Sequence, residues 1–302
     1  MTRKEQGLAA MAHAAQQAIA HRRAPRPLHP TATAEELRAR FCVPLPEGPR
    51  DGVAVLDDLV AAAKDGLVGN TDGSFFAWVM GGSSPVGVAA DWLTSAWGQN
   101  AAIYQTAPAA AIAEEAVSAW LLDLLDLPRD ASVGFVTGAT MAAFVGLAAA
   151  RTSVLQRAGH DFEAQGLQGA PIIKVFLSDD AHITNYSALR YIGLGDANIV
   201  KIPSDTQGRM IVADLAAQLD AHAGPKIIIA QAGHINSGAF EDFGAISTLS
   251  RQHDAWLHVD GAFGLWARAT QSRAHLTDHV DLADSWSVDG HKWLQIPYDS
   301  GF

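Results

Sequence analysis

The sequence predicts an α/β fold, a mostly parallel sheet with helices packed over both faces. Three observations lead there. From Val133 onward short apolar runs alternate with helical stretches, as in a chain that joins parallel strands through crossover helices. The run Ala255-Trp256-Leu257-His258-Val259-Asp260 is largely apolar but ends in an acid before two small residues, Gly261 and Ala262. A buried strand that delivers a carboxylate to a sheet edge reads this way. With 302 residues, 49% of them hydrophobic, the chain can bury a substantial core in one large domain or two small ones.

Taken in order, residues 1–24 are Ala-rich, carry Arg3, Lys4, Arg22 and Arg23 near their ends, and read as an amphipathic helix. Glu5 and Gln16-Gln17 break the pattern of a transit peptide, and this stretch has no apolar centre of a secretory signal. Pro25, Pro27 and Pro30 interrupt the chain, and Thr33 ahead of Glu35 and Glu36 restarts a helix at a capping position. A Pro/Gly linker covers Pro44 to Arg50, and helical spacing returns from Val53 to Lys64. Gly69 to Pro85 is dense in Gly, Ser and aromatics. It reads as an ordered loop, either an irregular surface or a pocket wall.

Ile112, Val117, Trp120, Leu121, Leu124 and Leu125 recur at helical intervals between Pro108 and Leu127 and are expected to be core. Val133 to Val136 reads as a strand, Thr137-Gly138-Ala139-Thr140 as a tight turn and Met141 to Arg157 as a helix. Such a turn can bind an anion, because free backbone N–H groups and the positive end of the helix dipole converge there, although many structural turns look alike. Further strands are expected at Ile172–Leu177, Asn198–Ile202 and Lys226–Ala230, with a helix over Ile211–Ala223. The last strand, within Asp284 to Val288, runs into Asp289-Gly290-His291-Lys292-Trp293, a Gly turn that presents a lysine.

Composition narrows the function. A formal charge of −11 argues against nucleic acid or an anionic membrane as main partner. No uninterrupted apolar stretch of about 18 residues is present, so no membrane span is expected. The single cysteine, Cys42, rules out a disulfide within the chain and suits a reducing cytoplasm. His275 and His279, with Asp281 close by, have a spacing that one helix face could use for a divalent metal, but Leu276 stands where a zincin helix carries its glutamate. A solvated helix is the reading preferred there. His258, Asp260 and His291 could also ligate a metal, but Lys292 beside them would repel it, so no metal is expected. No Gly-x-Ser-x-Gly elbow and no Gly-x-Gly-x-x-Gly turn competes.

An acid and a lysine at neighbouring strand ends match the needs of pyridoxal phosphate. Its aldehyde requires a lysine amine for a Schiff base, and its ring nitrogen requires an anion that keeps it protonated. Lys292 and Asp260 are the candidates. A flat ring is also needed over the pyridine face, and His182, after Ser178-Asp179-Asp180-Ala181, is the candidate. Without that context a histidine after a strand is a cap or a surface residue.

His258-Val259-Asp260-Gly261-Ala262 together with Asp289-Gly290-His291-Lys292-Trp293 resembles the pyridoxal-phosphate-dependent decarboxylases of the aromatic-amino-acid and glutamate decarboxylase group. The resemblance runs from about Phe75 to the last residue. It implies the large domain of the aspartate aminotransferase-like fold and decarboxylation of a small-molecule amino acid through a Schiff base at Lys292. Aminotransferase or carbon–carbon lyase chemistry, and a fragment that only binds cofactor or dimerises, remain alternatives. As cofactor-binding positions it implies Gly138, Ala139, Thr140, His182, Asn236, His258, Asp260, Ala262, Asp289, His291 and Lys292, with Ser237 beside Asn236 as a second polar group of that loop. It further implies a cytoplasmic homodimer, with residues 1–65 as a helical segment packing on the partner subunit and 66–302 as the cofactor-binding domain. Two departures stand out: Gly73-Ser74 occupies the place of a frequent His-Pro pair, and Met141 that of a frequent glutamate. Relatives continue past the Lys turn with the rest of a strand, a catalytic loop and a small domain. The resemblance therefore implies a large domain that is incomplete and a chain that is truncated.

Overall fold

The computed structural model describes residues 2–302. The chain divides into two compact units, one up to Met80 and one from Gly81 to Phe302.

The first unit is helical, and its helices start where the sequence offers caps. In α1 (Arg3–Arg23) the Thr2 hydroxyl accepts from the Glu5 N–H while the Glu5 carboxylate accepts from the Thr2 N–H. Thr33 and Glu36 repeat the reciprocal arrangement at α2 (Ala34–Phe41). The Asp51 carboxylate accepts from Val53 and Ala54 to open α3 (Gly52–Ala63). His13 on α1 meets Asp57 on α3 at 2.6 Å. None of these helices buries a residue, and Leu8, Met11 and Ile19 of α1 stay exposed. Phe75 and Trp78 line a cleft of about 480 Å³ with Leu28, His29 and Leu67, whereas the ring of Phe76 is exposed.

The second unit carries the sheet. Its elements are α4 (Pro85–Trp97), α5 (Pro108–Leu124), α6 (Ala139–Arg157), α7 (Phe162–Gln165), β1 (Lys174–Ser178), α8 (Ile183–Tyr191), β2 (Ile199–Ile202), α9 (Val212–Ala221), β3 (Lys226–Gln231), α10 (Phe243–Gln252), β4 (Trp256–Asp260) and β5 (Ser285–Ser287). The five strands are parallel, in the order β2-β1-β3-β4-β5. Alternation along the strands divides the core. Phe176, Ile228, Leu257 and Val259 pack with Leu215 and Leu219 of α9 and Phe243 and Ile246 of α10. Val175, Leu177, Ile227 and Ile229 pack on the other face with Leu147, Ala150 and Val154 of α6 and Ala188 and Leu189 of α8.

Three sequence expectations are corrected, and one helix appears that the sequence did not lead us to expect. Residues 133–136 do not form a strand; only Val136 is paired, in a single antiparallel bridge to Gly301 with bonds of 2.9 and 2.8 Å. The α5 stripe is only partly core: Leu121 and Leu125 are buried, while Ile112, Trp120 and Leu124 remain exposed. A helix not anticipated, α4, starts at Ser84, whose hydroxyl accepts from the Gly87 N–H, with Pro85 in its first turn. His275 and His279 share no helix, because a 3-10 turn covers Ala274–Thr277 and His279 adopts a left-handed conformation beyond it. No group of three or more metal-capable side chains occurs among the described residues.

Candidate active site

The parallel register decides which residues meet. Asp260 closes β4 beside Ser287 of β5 on one side and Gln231 of β3 on the other. Beyond the strands the two segments stay joined: Gly261 N–H donates to Ser287 O at 2.9 Å and Asp289 N–H donates to Ala262 O at 3.0 Å. Asp260 and the turn bearing Lys292 therefore share the carboxyl edge of adjacent strands, where parallel α/β sheets hold their ligands.

Asp260 is buried. Its Oδ1 accepts from the Ala262 N–H at 3.2 Å, and its Oδ2 accepts from the Asn185 amide of α8 at 2.9 Å. His258, two residues earlier on the same face, is fully buried, with Nδ1 2.8 Å from the Ser285 hydroxyl and Nε2 3.3 Å from that of Ser287. Burial pushes the His258 imidazole well below its ordinary value, against the opposing pull of the Asp260 carboxylate. A neutral ring with both nitrogens committed to β5 hydroxyls supports Asp260 by packing. The side chain that grips the carboxylate is Asn185. Nothing in the sequence marked it, because a lone asparagine in a helical run carries no motif.

Lys292 is mostly buried, with Nζ 2.9 Å from Asp289 Oδ2 and 5.9 Å from the centre of the Phe263 ring. The other oxygen of Asp289 accepts from the Ala139 N–H at 2.5 Å, so one carboxylate ties the lysine to the first turn of α6. His291 donates from Nδ1 to Ser300 O at 2.9 Å, packs on the Tyr298 ring, and holds Nε2 3.6 Å from Asp289 Oδ1. Gly138, at φ 150°, leads into α6. A Cβ built there would stand 3.4 Å from both Asp289 Oδ1 and His291 Cε1. Thr140 follows in the first helical turn. The Lys turn is backed by Gly81, where a Cβ would lie 2.1 Å from His291 O and 2.2 Å from Lys292 O, so only glycine fits.

His182 caps α8, its Nδ1 2.7 Å from the Thr184 hydroxyl, and its N–H donates to Gln231 Oε1 at 3.1 Å. The loop after β3 is closed by His234, whose Nδ1 faces the N–H groups of Asn236 and Ser237 and whose Nε2 lies 2.9 Å from Asp180 Oδ2. His234 is thus a buried structural residue rather than a solvated one. Asn236 is exposed on the loop, and the Ser237 hydroxyl donates to Gln207 O. The structure gathers Asp260, His258, Ala262, Asp289, His291, Lys292, Gly138, Ala139 and Thr140 around one sheet edge, places His182 at the next strand end and leaves Asn236 in the outer loop.

Comparison with known proteins first defines the class. The structure superposes on rice tryptophan decarboxylase solved with PLP and tryptamine, at a TM-score of 0.82 and 26% identity over 99% of this chain and 64% of that one. Among sequences it is 30% identical to the aromatic-L-amino-acid decarboxylase of Bacillus atrophaeus, over 91% of this chain and 56% of that protein. It is 32% identical to tryptophan decarboxylase 1 of Oryza sativa subsp. japonica, over 88% of this chain and 53% of that protein. The particular family follows from residues 35–302, which match the pyridoxal-dependent decarboxylase conserved domain. The chain belongs to that family of enzymes. It spans about half the length of the curated relatives it matches.

The donor set suits the family's pyridoxal group. A glycine-lined helix entrance, a lysine amine and a buried strand-end carboxylate stand along one edge. Two buried amide atoms near it, Asn185 Oδ1 and Gln231 Nε2, have no partner among the described residues. Asp289 sets a negative charge at the helix entrance, offset by Lys292 at 2.9 Å.

Proposed function

We propose that the chain is the cofactor-binding part of an enzyme that decarboxylates a small-molecule amino acid to an amine and CO2. The observation that carries this reading is the placement of Asp260 and the Lys292 turn on one edge of adjacent parallel strands. When bound, pyridoxal phosphate supplies an aldehyde for a lysine amine and a ring that takes up the electron pair left by the departing carboxylate. Lys292 Nζ is the amine, and release from Asp289 frees it to react. Asp260 holds a proton at the ring nitrogen. His258 keeps that carboxylate in place through the packed strand beneath it. His182 and Ala262 would hold the ring by packing. Gly138, Ala139 and Thr140 at the start of α6, with His291, would hold the phosphate, which requires the Ala139 N–H to leave the Asp289 carboxylate that it meets at 2.5 Å. Asn236 lines the substrate side from its loop.

Residues 1–65 act as a helical segment packing on a partner subunit, 66–302 form the cofactor-binding domain, and the enzyme is a cytoplasmic homodimer. The exposed apolar side chains Leu8, Met11 and Ile19 of α1 support the subunit contact. No helix among the described residues is long and apolar enough to cross a membrane.

The test is a titration with pyridoxal phosphate followed by a turnover assay on a panel of amino acids, reading released CO2 and the organic product. The expected result is a visible absorption band, absent from Lys292→Ala, together with CO2 and an amine. An aldehyde product assigns lyase chemistry instead, and a band that survives Lys292→Ala removes the lysine from its role.

A further inference from the structure

The first turn of α8 is pinned to two neighbouring strand ends. His182 N–H donates to Gln231 Oε1 at the end of β3, and one turn later Asn185 Nδ2 donates to Asp260 Oδ2 at the end of β4. Gln231 and Asp260 are register partners, so both bonds land on one rung of the sheet. Residues three apart on a helix lie on the same face, which is why one short helix reaches both. Asn185 has no exposed surface, and its amide makes a single bond, the one to Asp260. Burying an amide with its carbonyl unpaired costs stability, so the fold retains a polar group where Leu189 and Ala188, further along the helix, are apolar. The other oxygen of Asp260 accepts from the backbone N–H of Ala262, two residues on. Among the described residues Asn185 is therefore the side chain that hydrogen-bonds the carboxylate.

We propose that Asn185 is a positioning residue for Asp260, orienting its carboxylate toward the cofactor's ring nitrogen and coupling that orientation to the helix that starts at His182. The inference rests on the proposed pyridoxal-phosphate function. It assigns Asn185 no contact with substrate. Its amide holds Oδ2 while the Ala262 N–H holds Oδ1, and without it the backbone bond alone would orient the carboxylate.

The experiment is a double-mutant cycle on the cofactor-loaded protein, using Asn185→Leu, Asp260→Asn and the pair. The readouts are the dissociation constant for pyridoxal phosphate, the position of its visible band and the melting temperature. Asn185→Leu keeps the volume and removes the donor; if it fails to fold, Asn185→Ser, too short to reach Asp260, is read in the same way. Because hydrogen bonds to charged groups are worth about 1.5–3 kcal/mol, the single variant is expected to bind the cofactor about tenfold to a hundredfold more weakly, with a shifted band and kcat falling more than KM. In the Asp260→Asn background the same change is expected to add little further loss, since the group it serves is gone. Losses that add in full, or a single variant with wild-type affinity and band, overturn the positioning role. A wild-type protein that takes up no pyridoxal phosphate overturns the functional reading and this inference together.

Discussion

The two units solve the burial problem differently. In the second, α6 buries Ala142, Ala143, Leu147, Ala150, Val154 and Leu155 against the sheet and α8. In the first, α1, α2 and α3 bury nothing and are held by their caps and by polar pairs such as His13 with Asp57. Capping determines where a helix begins, but only packing makes it hard to remove. The candidate site stands wholly on the second kind of structure, as a constellation that must hold its geometry requires.

Mutations can break or sharpen this contrast. Leu147→Ala, at a fully buried position in α6, is expected to cost about 2–5 kcal/mol in denaturant unfolding. Leu8→Ala, on exposed α1, is expected to stay within about 0.5 kcal/mol. Equal effects would mean that α1 is as deeply packed as α6, as it would be against a partner subunit.

A smaller effect is expected from Glu241, which burial raises from 4.5 to about 7, against the hydrogen bond it accepts from Met210 N–H. Its folded value lies above its unfolded one. Its contribution is therefore complete below about pH 4.5 and is lost as pH rises through about 7. Glu241→Gln is expected to flatten stability over that window and to exceed the parent above pH 7 by on the order of 1–3 kcal/mol, read by melting at pH 5 and pH 8. A parallel pH dependence in both proteins would remove Glu241 as its source.

A more local effect is expected in the first unit. Thr33→Ala removes the cap of α2 and is expected to weaken that helix by about 1 kcal/mol, seen as faster amide exchange confined to α2. Slower exchange elsewhere, or none in α2, would show that something other than the cap holds it.

Much of the sheet was legible because strand ends are written locally. Trp256 to Asp260 forms β4, one residue shorter than the run Ala255–Asp260 read from the sequence, and the alternation read from Val133 onward yields parallel strands from Lys174. The Thr33 cap and the Gly138 helix entrance were also visible, each being a property of a few consecutive residues. What escaped depends on distant partners. Residues 133–136 have strand composition but find a single rung at Gly301, and Trp120 has helical spacing but faces away from the core. Ser84-Pro85 did carry a start signal for α4, hidden inside a stretch read as loop. In the site, Lys292 and Asp260 announce themselves by their motifs, whereas Asn185 gains meaning only when α8 is laid over the end of β4.

Gly81 turns its missing side chain into a mechanical linkage. Its backbone lies flush against the carbonyls of His291 and Lys292, and three residues on, Ser84 N–H donates to Gln295 O at 2.8 Å just before α4 begins. A displacement at the start of α4 would thus meet the turn that bears Lys292 through two touching stretches of main chain. Gly81→Ala would act as a wedge against the main chain of His291 and Lys292, displacing the turn while every side chain of the site is retained.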